Sequence, residues 1–349
     1  MLRHSIQCLP RQRGYILLLC IGVLALLMLG ATYMGRQMET ALTLARAEQR
    51  QIEQEKIMLE ARTHALFLLA SMPRTMQGLG SGEALVVPDG RFYRVNDGIA
   101  VSFQDVRGLL SLNLVRDTGM ARQMLERLLG TYGVSSEVSA QLIDALLDYR
   151  DPDNLRHING AEVEEYRAAG KEHLLKNGDL VLPQELTNVL GWAEVAALWG
   201  NDPITRYLSV NPRPVLNPNT AGWRVLTALS GTNPEVVKDL LGSRQRGDIA
   251  DLTPLVAPTL SDNPFSNGPM VIKLMSDEIL VTFLAQGEKH GLRLDVVHTP
   301  LSPQAPWRIA YTEKVAGEEV LRDWDKLPQL PDIRLIQNTP LPNQVELPF

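Results

Sequence analysis

From Gly14 to Gly35 the chain reads GYILLLCIGVLALLMLGATYMG, a run without a single charge, bounded by Arg13 and Arg36. About twenty apolar residues at 1.5 Å each are enough to cross the hydrocarbon core of a bilayer as a helix. Arg3, His4, Arg11 and Arg13 precede the run and no acidic residue does. The positive-inside bias therefore places the N-terminus in the cytoplasm and exports the bulk of the chain. A secretory signal peptide cut near Ala31 is the competing reading. The continuation argues against it, because residues 38–72 (METALTLARAEQRQIEQEKIMLEARTHALFLLASM) hold no Pro or Gly and consist mostly of strong helix formers. The apolar helix is expected to run on into an amphipathic one. Leu42, Ala45, Ile52, Leu59, Leu66 and Leu69 recur at helical spacing and offer one face to a body or a neighbour, and Pro73 stops the helix. A signal anchor with a coiled-coil stalk would share these features.

At 349 residues the chain has room for an anchor and one or two bodies. Both cysteines, Cys8 and Cys20, lie at the N-terminal end, so no disulfide framework is available to the body. After Pro73 the pattern changes from helical to alternating. Residues 83–95 (EALVVPDGRFYRV) predict a hairpin turning at Pro88-Asp89-Gly90, and 99–106 (IAVSFQDV) a further strand. Residues 278–287, 292–298 and 307–314 have the same character, with Gly291 marking a turn. Two groups of strands so far apart imply one sheet interrupted by an insertion.

The interval is mainly helical. Residues 120–129 and 136–149 are periodic and joined by the turn 130–135; 220–229 and 234–243 form a second pair; 183–198 supplies another helix between them. Asn219 or Thr220 is the expected cap of the 220–229 helix. Each pair resembles a helix-hairpin-helix unit. The fold class is then α+β: a long N-terminal pilin-type helix, an antiparallel sheet body, and a large helical insertion with two helix-hairpin-helix-like units. The expected divisions are 1–14, 15–72, 73–113, 114–275 and 276–349.

Catalytic motifs are missing. The GLGSG at 78–82 follows a helix stop and precedes a strand, the reverse of a phosphate loop; there is no H-E-x-x-H and no G-x-S-x-G. The chain is not expected to be an enzyme. One stretch offers ligand chemistry: Asp148, Asp151, Asp153 and Asn154, followed by Glu162, Glu164 and Glu165, put several oxygen ligands in a short segment, as calcium requires. Leu155 and Arg156 break the EF-hand pattern, and an ordinary solvated helix end would use the same residues.

Arg13-Gly14, followed at once by Tyr15 and the apolar run, resembles the processing site of type IV prepilins and pseudopilins. That resemblance implies cleavage between Gly14 and Tyr15 by a prepilin peptidase and N-methylation of Tyr15, where most members begin with Phe. It also places Leu19 at the fifth mature position, where most pilins carry the Glu that pairs with a neighbour's N-terminal amine. Absence of that carboxylate is the mark of type II secretion system protein K among pseudopilins. GLLSLNL at 108–114, LIDALLDYRDPDN at 142–154, NGAEVEEY at 159–166 and LNPNTAGWRVLTALSG at 216–231 are similar to words of that family in the same order.

The resemblance implies a single-pass inner-membrane protein with a periplasmic body, acting as a minor pseudopilin at the pseudopilus tip. Its implied partners are the minor pseudopilins I and J, with H, contacting the Leu42, Leu59 and Leu66 face. It also favours calcium at Asp148, Asp151, Asp153 and Glu162. The rival from another class is a helix-hairpin-helix DNA-binding or DNA-uptake membrane protein. Removing the leader leaves about 31 basic residues against 40 acidic ones, a balance that repels phosphate backbones, so nucleic acid is not an expected partner.

Overall fold

The computed structural model describes residues 15–96, 98–200, 202–213, 215–231, 234–246, 270–288, 290–316 and 324–332. The expected leader, including Gly14, lies outside them. The chain divides into two compact units between Leu59 and Glu60, inside the first helix, α1 (Tyr15–Ser71). In the first unit the described residues are helical throughout and almost all exposed. They include the one segment, among the described residues, long and apolar enough to span a membrane.

In the second unit the last turns of α1 bury Ala61, Ala65, Leu66, Leu68 and Leu69, and His64 Nε2 lies 3.1 Å from the Pro331 carbonyl oxygen. The remaining elements are β1 (Asp89–Arg94), β2 (Ile99–Asp105), β3 (Leu110–Ser111), α2 (Met120–Gly130), α3 (Ser136–Arg150), α4 (Val163–Ala168), β4 (Leu208–Ser209) and β5 (Val215–Leu216). They continue with α5 (Trp223–Ser230), α6 (Pro234–Arg246), β6 (Met270–Val271), β7 (Glu278–Ala285), β8 (His290–His298) and β9 (Trp307–Ala316).

Five strands form one antiparallel sheet in the order β1-β2-β7-β8-β9. Asp105 is paired with Ile279, so the insertion leaves and rejoins the sheet at adjacent strand ends. The central strands are buried along nearly their whole length, which is why IAVSFQD and EILVTFLA read as continuous rather than alternating strands. Ladder register puts Val101 and Phe283 on one face, while Ala100 and Leu284 on the other pack with Phe92 and Trp324. The β1 edge is closed by the chain itself: Leu330 N donates to Arg94 O and Arg94 N to Pro328 O, each at 2.8 Å.

The insertion has its own core around Met124, Leu125, Leu128, Leu146 and Trp192. Ser135 caps α3, its hydroxyl accepting from Val138 N at 3.3 Å, and Gly231 ends α5 in the left-handed conformation. Trp192 is fully buried, and its Nε1 donates to Leu142 O at 2.8 Å.

Four local expectations are corrected. No hairpin turns at residues 88–90: Val86 bridges back to Leu79, and Asp89 already begins β1, which pairs with β2 beyond Arg94, where Val95 N donates to Ile99 O at 2.9 Å. The turn between β7 and β8 carries Gly287 at φ 81°, whereas Gly291 is in β8, where a Cβ would come within 2.6 Å of Phe283 O. Residues 183–198 form no α-helix; two short 3₁₀ turns, Pro183–Asn188 and Ala196–Leu198, flank a bend containing Gly191 at φ 86°. Neither Asn219 nor Thr220 caps α5, which begins after Gly222. The Thr220 hydroxyl donates instead to Asp105 Oδ2.

Candidate cation site in the acidic loop

The end of α3 and the loop to α4 gather four carboxylates. Asp148, on the last turn of α3, is fully buried, and its Oδ1 accepts from His157 N at 3.1 Å and contacts His157 Nδ1. His157 Nε2 reaches Asp117 at 2.8 Å. Gly160 brings the returning chain against Asp148 so closely that a Cβ there would lie 1.9 Å from Asp148 Oδ2. Asn159 Nδ2 holds the same loop to Asp144 at 3.1 Å.

Beside this anchor, oxygens of Asp151, Asp153 and Glu162 lie within 4.8 Å of one another, and Asp151 is shared with a second group containing Asp148 and His157. Glu162 is only 4% exposed, and neither of its carboxylate oxygens has a hydrogen-bond partner; Asp151 Oδ1 is likewise buried without one. Burial, and then the charges of Asp148, Asp151 and Asp153, push the Glu162 carboxyl up to about 7. Burial and the neighbouring Asp153 and Asp148 raise Asp151 as well. Burial opposes the charged form of His157, but its hydrogen bonds to Asp148 and Asp117 prevail and raise it.

Unpaired buried oxygens from converging acids are costly alone and well matched to a hard cation, which takes six to eight oxygens at about 2.3–2.6 Å. The donor set fits calcium. Of the residues named from sequence, Asp151, Asp153 and Glu162 come together in one group, while Asp148 serves the adjoining one. The sequence does not single out His157 and Gly160; only their place within the same loop points to them.

Along α1, Tyr15 and Leu19 are exposed, as are Leu42 at 46% and Leu59 at 63%. Leu66 is 7% exposed, covered by the body that begins at Glu60, and so is corrected from a partner contact to a core residue.

Residues 108–198, which contain the whole acidic loop, match the family model of type II secretion system protein K. A type II secretion system protein K from Klebsiella pneumoniae is 30% identical over 195 residues, covering 52% of this chain and 58% of that protein, so the match spans little more than half of the relative. Among solved structures, a chain of the GspK-GspI-GspJ complex from enterotoxigenic Escherichia coli is similar with a TM-score of 0.54 at 20% identity, over 78% of this chain and 99% of that one. That likeness concerns the fold, a mixed α+β architecture with a long N-terminal helix. The words GLLSLNL and LIDALLDYRDPDN both lie within residues 108–198, the stretch of this chain that is similar to the protein K family of the type II secretion system.

Proposed function

We propose that the chain is a minor pseudopilin that caps the tip of a type II secretion pseudopilus and helps to initiate its assembly. The observation that carries this reading is the union, in one chain, of a membrane-length helix with a sheet interrupted by a protein K domain. The uncharged helix anchors the protein in the inner membrane with the body in the periplasm. Prepilin peptidase cuts between Gly14 and Tyr15, and Tyr15 becomes N-methylated.

Leu19 supplies no carboxylate for a neighbour's amine, so the subunit needs nothing above it in the fibre. The minor pseudopilins I and J bind it from the side and below, with H in the same assembly. Calcium bound by Asp151, Asp153 and Glu162, beside Asp148, neutralises the acidic loop and fastens α3 to α4; its role is structural, and no reaction is catalysed.

Intact-mass measurement of the membrane form, followed by pull-down against the partner pseudopilins, tests the proposal. Loss of fourteen residues and co-purification with I and J are expected. A retained leader, or cleavage beyond Ala31, removes the pseudopilin reading. Labelled protein found along the whole fibre removes the cap.

A further inference from the structure

Where the chain passes from β2 into the insertion, the second unit holds a cavity of about 100 Å³ bordered by β3, β4, β5 and α2. Much of its wall is hydrocarbon: Leu110, Leu114, Ala121, Met124 and Leu216 line it, and Leu110, Met124 and Leu216 are buried. A space of this size holds one branched or cyclic apolar group of about four to six carbons.

The charge around the cavity has one sign. Arg107 and Arg213 line it, and among the described residues of its wall there is no acid, in a chain whose formal net charge is -6. Asp105 and Glu278 hold the wall from outside: Asp105 Oδ1 accepts from Ser276 N at 3.0 Å, and Glu278 Oε2 from Asn211 Nδ2 at 2.6 Å. Arg107 Nη1 donates to the carbonyls of Leu274 and Met275 at 3.1 Å each, which leaves its Nε and Nη2 without a partner among the described residues. Arg213 is exposed; its backbone N–H donates to Asn211 Oδ1 at 3.0 Å, while its guanidinium has no partner among the described residues. Ser209 is 6% exposed, and its hydroxyl on the same wall has no partner among them either. Guanidinium N–H groups and a buried hydroxyl left over beside an apolar wall are satisfied together by an oxygen anion carried on a hydrocarbon group.

We propose that this cavity is a binding site for an apolar carboxylate, with a branched or cyclic hydrocarbon group seated against Met124 and Leu216 and the carboxylate held by Arg213, Arg107 and the Ser209 hydroxyl. None of these residues belongs to the acidic loop, so the site is independent of calcium. A free short-chain acid and the last residue of a polypeptide both present this chemistry.

The test uses the full chain in phosphatidylcholine nanodiscs, so that no detergent tail competes for the cavity, with carbon-13 in the methionine methyl groups and the Met124 signal assigned through Met124→Leu. The probes are 4-methylpentanoate for the free acid, a tripeptide ending in a free leucine carboxylate for the chain end, and 4-methylpentanamide as the uncharged control. A saturable shift of the Met124 signal is expected with at least one carboxylate, at an affinity roughly tenfold or more above that of the amide. Tighter binding of the acid supports a small-molecule site, and tighter binding of the tripeptide supports a seat for a chain end. Arg213→Gln alters an exposed side chain with no partner to lose; it should fold as the wild type does and bring the carboxylate down to the affinity of the amide. Ala121→Leu, which fills the cavity, should abolish the shift. The site is overturned if neither carboxylate shifts Met124 below about 10 mM, if the amide binds as tightly, or if Arg213→Gln keeps the preference for the carboxylate. Should Ala121→Leu fail to fold, Arg213→Gln alone decides.

Discussion

Thr220 Oγ1 donates a 2.9 Å hydrogen bond to Asp105 Oδ2 across a gap of 115 residues. The same carboxylate accepts from Asn217 Nδ2 at 3.1 Å, Ser276 N at 3.0 Å and Arg107 N at 3.1 Å. Asp105 is the last residue of β2, and Ser276 lies just before β7. One buried side chain therefore ties the departure of the insertion, its second helix pair and its return to the sheet. Asp105→Ala would leave four donors facing a void, at a cost of at least about 3 kcal/mol. Asp105→Asn keeps one acceptor and turns an amide NH₂ toward two donors, so it should be intermediate. Urea unfolding of the full chain in detergent measures both, and a loss below about 1 kcal/mol for the Ala variant would show that the network is not a support.

Glu162 yields a prediction of opposite sign with and without calcium. In chelator, its buried carboxylate faces Asp148, Asp151 and Asp153, so Glu162→Gln relieves repulsion and should raise Tm. With calcium in large excess, the wild type should gain roughly 5–10 °C from mass action and Glu162→Gln much less, reversing the order. Asp148→Ala combined with Asp151→Ala should abolish the gain. If chelator leaves the wild-type melting curve where it was, the acids form a solvated loop.

Gly160 tests the anchor of that loop. A methyl group there must displace Asp148 or the backbone facing it, because its carbon would sit 1.9 Å from Asp148 Oδ2. Gly160→Ala should therefore lower both the stability and the calcium-induced rise in Tm. An unaltered calcium response would mean that the His157 to Asp148 contact is not needed to shape the site.

Trp192 carries the insertion core. It is fully buried beside α3, and Trp192→Ala should cost about 3–5 kcal/mol through lost burial and the cavity left behind. Trp192→Phe keeps most of the volume but leaves Leu142 O without the indole donor, and should cost less. Denaturant midpoints of the two variants check the ranking.

Legibility follows sequence distance. The N-terminal helix is readable because charge-free and then Pro- and Gly-free composition acts locally, and the acids are readable because Asp148 to Glu162 lie within one short loop. Thr220 reads as a helix cap in sequence because nothing local reveals the carboxylate, 115 residues away, that claims its hydroxyl. Residues 183–198 read as a helix because Trp192 and its apolar neighbours are periodic, while Gly191 at positive φ breaks the helix in their midst.

The last prediction separates the two lengths of α1. Leu42 and Leu59 are exposed in the first unit, whereas Leu66 is covered in the second. Leu66→Asp would bury a charge among Ala65, Leu68 and Leu69 and should unfold the body at a cost of several kcal/mol, whatever partners are present. Leu42→Asp and Leu59→Asp alter side chains that are 46% and 63% exposed and should leave Tm and the circular dichroism spectrum close to those of the wild type. If the helix face is the seam for the partner pseudopilins, those two variants fold normally yet fail to co-purify with I and J and fail to restore secretion. Wild-type assembly by both would exclude the seam, and the partners would then have to dock on the body alone.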